Sequence, residues 1–293
     1  MPDRLLPGMV GRSAAWLRVR EQAIRLTRSP LPLLVTGEPG TGKLTLVRAM
    51  HADAAQAGQL TVIDAGLQLL DGAAAWLGQV HTAATRPDPG VLVLAHLEAL
   101  QEPAAAMLAS LLDVHRRQHP TLRWAATMLS GTRGSPHGLG RLVDRIGQTR
   151  LELPPLRQRP DDIPLLVQAL SARYAPSSHR QYWAPAALTA LARLAWPGNI
   201  RQLEAVISAL VVERQGAPIG VEHLPPGLLR QHALADDDDG TLRLQATRRA
   251  TIVAALQRAG GNKAEAARLL GIGRSTLYRQ LAALHLDRDR QRS

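Results

Sequence analysis

The chain contains the sequence Gly37-Glu38-Pro39-Gly40-Thr41-Gly42-Lys43, in which glycines are spaced before a lysine as in a loop that binds phosphate groups. An apolar run of strand length, Leu31–Thr36, precedes it, and apolar residues at helical spacing follow in Leu44–His51. The glycines allow backbone N–H groups to turn towards phosphate oxygens, the helix N-terminus adds partial positive charge, and Lys43 reaches the outer phosphates. A glycine-rich turn before an ordinary helix is the alternative, and the strand-loop-helix order disfavours it. Loops of this type usually continue with a Ser or Thr that holds Mg²⁺, and here that residue is Leu44.

Composition limits the class of protein. With 293 residues, 45% of them hydrophobic, the chain is long enough for two or three folded domains. It has no cysteine, which excludes disulfides and thiolate metal sites. No apolar run reaches the roughly 18 residues of a membrane helix, and Met1–Arg4 does not resemble the start of a signal peptide, so we expect a cytoplasmic protein without membrane contact.

Positive charge is concentrated near the C-terminus. The net charge is +11, and residues 244–293 contain ten Lys or Arg and three acidic residues, so that they contribute 10 − 3 = +7. This distribution predicts that the C-terminal end binds a polyanion.

Residues 1–160 alternate between apolar strand-like segments and helical segments. We predict a helix through Trp16–Leu26, a helix over Glu102–Gln118, and a connection of helix and loop over 65–89. The predicted strands are 31–36, 60–64, 90–94, 122–127 and 149–153. Nearly continuous apolar strands that alternate with helices predict an α/β fold with a parallel sheet covered on both faces.

The pattern becomes entirely helical from Asp161 onward, with helices predicted over 162–174, 185–195 and 199–213. We therefore predict a helical domain over 161–230, followed by an acidic linker over 231–243 that contains Asp236–Asp239. An acidic run is also compatible with a metal or partner site, but no residues nearby would complete a cage.

Three short helices are predicted in a final domain, 244–293. The first covers 244–259, the second is capped by Asn262 with Glu265 in a capping-box-like arrangement, and the third covers 274–281 after a turn at 271–273. This is the pattern of a helix-turn-helix that reads the DNA major groove, and a plain three-helix bundle with a solvated basic face is the alternative. The candidate contacts to double-stranded DNA are Arg274, Ser275, Thr276, Tyr278 and Arg279, which would act from a dimer on an inverted repeat.

Taken together, these segments resemble the bacterial enhancer-binding proteins, the AAA+ activators of sigma-54 RNA polymerase. Besides the phosphate loop, the matching segments are Gly11-Arg12-Ser13, Ala125-Ala126-Thr127, Leu153-Pro154-Pro155-Leu156-Arg157-Gln158-Arg159, Asp161-Asp162-Ile163 and Trp196-Pro197-Gly198-Asn199-Ile200-Arg201-Gln202-Leu203. The end of the chain, from Gly260-Gly261-Asn262-Lys263 to Arg274-Ser275-Thr276-Leu277, is similar to a Fis-type DNA-binding domain. The resemblance implies an AAA+ P-loop parallel sheet over 1–160, a helical lid over 161–230 and a small all-α helix-turn-helix domain.

The resemblance also implies a site for ATP or ADP and a homo-oligomer, a dimer or larger. By this resemblance, Arg201 is the lid arginine that senses nucleotide. Arg145 stands at one of two inter-subunit arginine-finger positions, and Leu139 stands at the other. Asp64 stands at a polar switch position. The full set of nucleotide-binding candidates is Val10, Gly11, Gly37, Glu38, Pro39, Gly40, Thr41, Gly42, Lys43, Leu44, Arg145 and Arg201.

The chain departs from the family where hydrolysis takes place. The family ends its third strand with Asp-Glu, for Mg²⁺ and for the attacking water, and this chain has Ala95-His96; its sensor position is Met128. Glu98 lies two residues too far along to be taken as equivalent, and a lone histidine such as His96 at a strand end is more often structural than a base. We therefore expect no catalytic residues, no Mg²⁺ site, and an ATPase that is deficient in hydrolysis.

The family's sigma-54 contact loop, Gly-Ala-Phe-Thr-Gly-Ala, is also missing from residues 65–89, and the chain has no phenylalanine. We therefore expect a sequence-specific DNA-binding transcription regulator that can act on RNA polymerase but does not engage sigma-54. Two alternatives stay open: a working ATPase that remodels polymerase as a sigma-54 activator, and an AAA+ part that has lost nucleotide binding and serves as an oligomerisation scaffold.

Overall fold

The computed structural model describes residues 6, 8–54, 58–87, 90–132, 138–175, 181–228, 251–260, 262–270 and 272–283. Five strands form one sheet in the order β2-β3-β4-β1-β5. Their bounds are β1 Leu33–Gly37, β2 Leu60–Asp64, β3 Val91–Ala95, β4 Arg123–Leu129 and β5 Thr149–Leu153. Strands β2 and β3 pair in parallel, as do β3 and β4. The α/β class with a parallel sheet is confirmed.

The limits of three strands differ from the predicted ones. β1 begins at Leu33, after Pro32, because proline has no N–H to donate to a strand ladder. β3 is shifted by one residue to Val91–Ala95, with all five residues buried, and β4 continues to Leu129. The other two strands lie where the sequence predicts them. In a parallel sheet the carboxyl ends of the strands share one edge, where ligands of open α/β sheets bind.

The chain divides into two compact units. One contains residues 1–30, 35–57 and 149–237, and the other contains residues 31–34, 58–148 and 238–293. The proposed domain limits at 160, 230 and 243 stay a prediction beside this division.

The first unit includes α1 Ala14–Leu26, α2 Lys43–Asp53, α7 Ile163–Tyr174, α8 Pro185–Ala192 and α9 Asn199–Arg214. Helices α7 to α9 enclose a hydrophobic cluster that includes Trp183, Trp196, Leu203 and Ile207. α8 ends at Ala192, earlier than the predicted 195, because the chain turns into Trp196-Pro197, where Trp196 has a φ of 49°.

The second unit includes α3 Gln68–Asp71, α4 Ala73–Ala84, α5 Glu102–Gln118 and α6 Leu139–Ile146. Apolar faces of α4, α5 and α6 pack on the buried residues of β3 and β4, with Trp76, Leu92, Leu108 and Leu142 near the centre of this cluster. The predicted connection over 65–89 is present as a short 3₁₀ turn at Ala65–Leu67 followed by α3 and α4.

Three helices at the C-terminal end surround a small core of Ile252, Ala266, Leu277 and Leu281, among others. They are α10, of which residues 251–258 are described, α11 Lys263–Leu269 and α12 Arg274–Ala283. Residues 244–250 of the predicted first helix, the predicted linker and the turn residue 271 lie outside the described residues.

The cap of α11 is confirmed in part. The Asn262 side chain accepts hydrogen bonds from the N–H groups of Ala264 (3.0 Å) and Glu265 (3.3 Å), as an N-cap should. Glu265 does not complete the predicted capping box: its carboxylate accepts two hydrogen bonds from Arg268, at 2.6 and 3.0 Å. A guanidinium one turn along the helix is a better donor for this carboxylate than a backbone amide.

Candidate functional site

The phosphate loop joins β1 to α2 and is built around two left-handed glycines. Gly40 has a φ of 76° and Gly42 a φ of 96°, conformations that residues with a Cβ rarely adopt. Thr41 Oγ1 donates to the carbonyl oxygen of Glu38 over 2.9 Å. The loop thus opens directly onto the N-terminus of an eleven-residue helix, the arrangement that binds phosphate oxygens.

Lys43 is buried and its Nζ is held by the loop itself. It donates to the carbonyl oxygens of Gly37 at 2.8 Å and Glu38 at 3.0 Å. Bound in this way, the ammonium group is positioned over the loop that the sequence predicted would cradle phosphates. Phosphate oxygens are stronger acceptors for an ammonium group than neutral carbonyl oxygens, so the geometry fits a nucleotide's phosphate chain.

The loop lies directly against the N-terminal end of α9. A Cβ at Gly40 would overlap the carbonyl oxygen of Gly198, and the backbone N–H of Arg201 donates to the carbonyl oxygen of Gly40 over 3.3 Å. Arg201, the predicted nucleotide sensor, is therefore adjacent to the loop through its backbone, and its side chain is exposed.

Glu38 forms the second link between the loop and the surrounding residues. Its carboxylate accepts a bidentate pair of hydrogen bonds from Arg157, at 2.6 and 2.8 Å, and a third from Asn199 Nδ2 at 3.1 Å. Asn199 Nδ2 also donates to the carbonyl oxygen of Pro39 (3.0 Å), and Asn199 Oδ1 accepts from the N–H of Leu156 (2.7 Å). The pKa of Glu38 lies below its ordinary value, chiefly because Arg157 hydrogen-bonds to its charged form, and partial burial opposes this shift.

The segment before α1 is fixed by Asp162. Its carboxylate accepts from the N–H of Arg12 (2.6 Å), the N–H of Ser13 (2.7 Å) and Ser13 Oγ (2.8 Å). Val10, one of the predicted nucleotide contacts, packs against the hydrophobic cluster of α7 to α9. Gly11 lies against the indole of Trp16, where no side chain would fit.

Arg159 lies beneath this segment and is almost fully buried. Its guanidinium is 5.6 Å from the centroid of the Trp16 ring and donates to the carbonyl oxygen of Thr41 in the phosphate loop. Burial lowers the pKa of Arg159, and the charge of Asp162 offsets part of this effect. Arg159 therefore joins α1 to the loop by packing as well as by charge.

The carboxyl end of β3 holds no carboxylate at positions 95 and 96. Ala95 is buried, and His96 has a left-handed backbone with a φ of 63°. The His96 N–H donates to Thr127 Oγ1 (3.1 Å), and its Nδ1 lies 3.2 Å from Glu98 Oε1. Glu98 Oε2 accepts from the N–H of Leu129 at 3.1 Å. The carboxylate nearest in sequence is thus bound to His96 and to the end of β4.

Three further predicted positions are occupied by intramolecular contacts in the second unit. Arg145, at an arginine-finger position, donates from Nε to Asp113 on α5 over 2.6 Å, and Leu139 is buried. Asp64 accepts from the N–H of Gly66 over 2.8 Å and so caps its own turn.

Helix α12 carries the predicted DNA contacts. Arg274 is exposed, whereas Ser275, Thr276, Tyr278 and Arg279 are partly buried. Lys263 Nζ lies 5.2 Å from the centroid of the Tyr278 ring, a cation–π distance that adds positive charge to α12 from the preceding helix.

Arg157, Arg159, Asp162 and Asn199 belong to this site and are missing from the predicted set of contacts. A signal for Arg157 was present, because an acid such as Glu38 inside an anion-binding loop needs a compensating cation. Nothing in the local pattern indicated that Asn199 reaches back to Pro39, since the two residues are 160 positions apart.

Two absences concern the described residues only. No group of three or more His, Cys, Asp or Glu side chains there is arranged to hold a metal ion. No helix in the same part of the chain is both long and apolar enough to cross a membrane.

Comparison with known proteins identifies three family models in succession along the chain. Residues 10–156 match the sigma-54 interaction domain, residues 157–240 match the AAA+ ATPase lid domain, and residues 249–284 match the bacterial regulatory protein, Fis family. The chain is 32% identical to the transcriptional regulatory protein ZraR of Klebsiella oxytoca over 94% of its own length and 68% of that protein. It is 28% identical to the DNA-binding transcriptional regulator NtrC of Salmonella typhimurium over 95% of its length and 70% of that protein.

Among solved structures, NtrX from Brucella abortus in complex with ATP has a TM-score of 0.59 and 22% identity, covering 94% of this chain and 69% of that one. This likeness shows the fold, an α/β AAA+ sheet followed by helices. The sigma-54 interaction model covers half of the chain, and the likeness to ZraR extends over nearly all of it. The chain therefore belongs to the bacterial enhancer-binding protein family, whose members are DNA-binding transcriptional regulators with a sigma-54 interaction domain.

Proposed function

We propose that this regulator binds ATP or ADP in its phosphate loop, hydrolyses ATP slowly or not at all, and acts on transcription without engaging sigma-54. The observation that carries the proposal is a contrast between two sites. The loop supplies left-handed glycines, a helix N-terminus and a buried Lys43, whereas positions 95 and 96 supply no carboxylate.

Nucleotide binding is supported by the chemistry of the loop. Its N–H groups and Lys43 would hold the phosphate chain, and Val10, another candidate contact, packs against the cluster of α7 to α9. The relative NtrX has been solved with ATP and with ADP, which supports both nucleotides as ligands here. Bound nucleotide would then stabilise one arrangement of the first unit, as any ligand does for the state it prefers.

Magnesium does not fit two positions from which proteins with such a loop bind it. Leu44 replaces the hydroxyl residue after the lysine, and Ala95 replaces the carboxylate at the end of β3. Neither side chain has an oxygen to offer to a hard cation. Without the metal and an oriented water, phosphoryl transfer loses the groups that neutralise and aim it.

Calorimetric titration with ATP and with ADP tests nucleotide binding. Heat of binding that Lys43→Ala abolishes is the expected result. Absence of binding would instead favour an AAA+ part that acts only as a scaffold for a homo-oligomer.

A second candidate function is an active ATPase that remodels RNA polymerase. One contact favours it: His96 Nδ1 lies 3.2 Å from Glu98 Oε1, and a catalytic histidine is commonly oriented by such a carboxylate. A steady-state phosphate-release assay with DNA present separates the two. Turnover that is lost in both Lys43→Ala and His96→Ala would favour the enzyme, and background turnover in all three proteins would favour the regulator without hydrolysis.

Double-stranded DNA is the proposed target of α12, bound by a dimer or larger oligomer at a repeated site. We expect Arg274→Ala with Arg279→Ala to weaken operator binding at least tenfold, because each lost groove or phosphate contact costs about 1–3 kcal/mol. The control is Arg268→Ala on α11, an exposed arginine that is paired with Glu265. Undiminished affinity of the double variant in a salt titration would remove α12 as the reading helix.

A further inference from the structure

Glu38 places a negative charge inside a loop whose proposed ligand is also negative. The loop must accommodate the two or three charged phosphates of ADP or ATP, and each would be repelled by a nearby carboxylate. Lys43 and the helix N-terminus attract the phosphates, but Glu38 belongs to the same loop and repels them. The loop therefore needs a further positive charge if it is to bind nucleotide well.

Glu38 belongs to the loop whose backbone holds the ammonium group of Lys43. Lys43 donates from Nζ to the backbone carbonyl of Glu38 over 3.0 Å, and its charge contributes to the lowered pKa of the Glu38 carboxyl. Phosphates bound by Lys43 would interact with that carboxylate with the opposite sign. In the first unit this site is partly shielded from water, so the repulsion is only partly screened.

Arg157 is the positively charged group that pairs with the Glu38 carboxylate. Its guanidinium grips both oxygens of Glu38, at 2.6 and 2.8 Å, in the bidentate geometry that is strongest for this pair. Asn199 Nδ2 approaches Glu38 Oε2 from α9 and fixes the carboxylate from a second direction. The side chain of Glu38 is thereby held by contacts outside the loop.

We propose that Arg157 is a positioning residue for nucleotide binding, which acts by neutralising Glu38 and holding its carboxylate in place beside the phosphate loop. This inference rests on the proposed binding of ATP or ADP. It assigns to Arg157 no contact with the nucleotide, and it predicts that Arg157 matters only while residue 38 is an acid.

The test is a cycle of four proteins titrated with ATP and with ADP: the unchanged chain, Arg157→Ala, Glu38→Gln and the double variant. We expect Arg157→Ala to weaken ATP binding about tenfold or more and ADP binding less, because ATP carries more charge. Glu38→Gln should bind ATP more tightly than the unchanged chain, because the carboxylate that repels the phosphates is gone. The double variant should recover to within about threefold of Glu38→Gln, since the repulsion that Arg157 cancels is gone.

A salt titration and a conservative variant distinguish a loss of affinity caused by charge repulsion from one caused by a structural defect. The loss in Arg157→Ala should shrink as NaCl is raised, because salt screens the repulsion, whereas a purely structural defect would not respond. Arg157→Lys keeps the charge without the bidentate geometry, and its affinity should fall between those of the unchanged chain and Arg157→Ala. This variant together with Glu38→Gln keeps the test decisive if Arg157→Ala does not fold.

The matched control is the ion pair between Arg173 and Glu204, which joins the same kind of groups at 3.0 Å on exposed helices of the same unit. Arg173→Ala and Glu204→Gln should leave nucleotide affinity unchanged. If the double variant loses as much affinity as Arg157→Ala, Arg157 contacts the phosphates directly and the inference is wrong, although nucleotide binding stands. If the unchanged chain binds neither nucleotide, the proposed function and the inference fail together.

Discussion

Asn199 combines features that rarely occur in one residue. It is fully buried, its backbone is left-handed with a φ of 52°, and its amide makes three hydrogen bonds, to Leu156, Glu38 and Pro39. Asparagine tolerates this backbone better than most residues with a Cβ. The residue thus ties the start of α9 to the phosphate loop and to the segment after β5.

We expect Asn199→Ala to lower the free energy of unfolding by about 2–4 kcal/mol, because buried partners lose their hydrogen bonds and alanine is strained at this φ. Asn199→Gly loses the same hydrogen bonds without the strain, and it should be about 1 kcal/mol less destabilised. Urea unfolding followed by tryptophan fluorescence measures both. A change below about 0.5 kcal/mol in the alanine variant would show that these hydrogen bonds contribute little.

His115 predicts a dependence of stability on pH. It is buried in α5, its Nε2 lies 3.1 Å from His81 Nδ1, and its own Nδ1 has no hydrogen-bond partner among the described residues. Burial, followed by the charges of His81 and His119, lowers the pKa of His115. The neutral ring is therefore favoured in the folded state.

The direction of this pH dependence follows from when the folded and unfolded chains take up a proton. The unfolded chain, in which histidine has a pKa of about 6.5, binds the proton before the folded chain does. The stabilising contribution is present above that pH and is lost as the pH falls through the lower folded-state value. We expect the unfolding free energy to decline as the pH falls below about 7, and to decline less in His115→Gln. Parallel curves for the two proteins would contradict this assignment.

At the scale of single residues, the sequence predicted the loop but not its surroundings. Lys43 and the glycines were recognisable because phosphate binding requires a fixed local spacing. Arg157, Arg159 and Asn199 act through contacts between distant parts of the chain, and no local pattern encodes those. For Glu265 a local pattern was present but gave the wrong contact. Its spacing from Asn262 fits a capping box, but its carboxylate binds Arg268 instead.

At the scale of elements, the limits of two strands and one helix were predicted to the residue. β2, β5 and α5 have the predicted limits because their apolar patterns begin and end sharply. The ends of β1, β4 and α8 moved by two or three residues, since Pro32, the register of neighbouring strands and the turn at Trp196 determine them.

The short helix α11 depends on its cap. With seven residues it is too short to be stable on intrinsic propensity, and Asn262 satisfies two of its free N–H groups. We expect Asn262→Ala to cost about 1 kcal/mol and to speed hydrogen exchange of the Ala264 and Glu265 amides about fivefold. Asn262→Asp retains the accepting oxygen and is the control. Equal protection in the alanine variant would mean that tertiary packing alone holds α11.

At the scale of the whole molecule, the chain combines an enhancer-binding architecture with Ala95 and His96 at the end of β3. The sheet, the lid and the Fis-type helices follow the family along the sequence. The fold class was therefore predictable nearly throughout, because many independent patterns agree on it. Whether the protein hydrolyses its nucleotide was not predictable in the same way, since hydrolysis depends on a few side chains at strand ends.

A ligand that is bound but not consumed has a thermodynamic signature. At ATP concentrations about 100 times the dissociation constant, the folded chain gains about 2.7 kcal/mol, which raises the unfolding midpoint by roughly 5–10 °C. We expect this rise to persist through hours of prior incubation with ATP and to be absent in Lys43→Ala. A rise that changes to the ADP value during incubation would indicate hydrolysis.

The backbones of Gly40 and Gly198 are so close that no side chain fits between the phosphate loop and the start of α9. Two main chains in direct apposition cannot slide apart by small amounts without admitting water and breaking the Arg201–Gly40 hydrogen bond. Any opening of the lid should then occur as a discrete jump between a closed and an open position. A population of molecules would contain a mixture of the two, and nucleotide would change their proportion without creating intermediate angles.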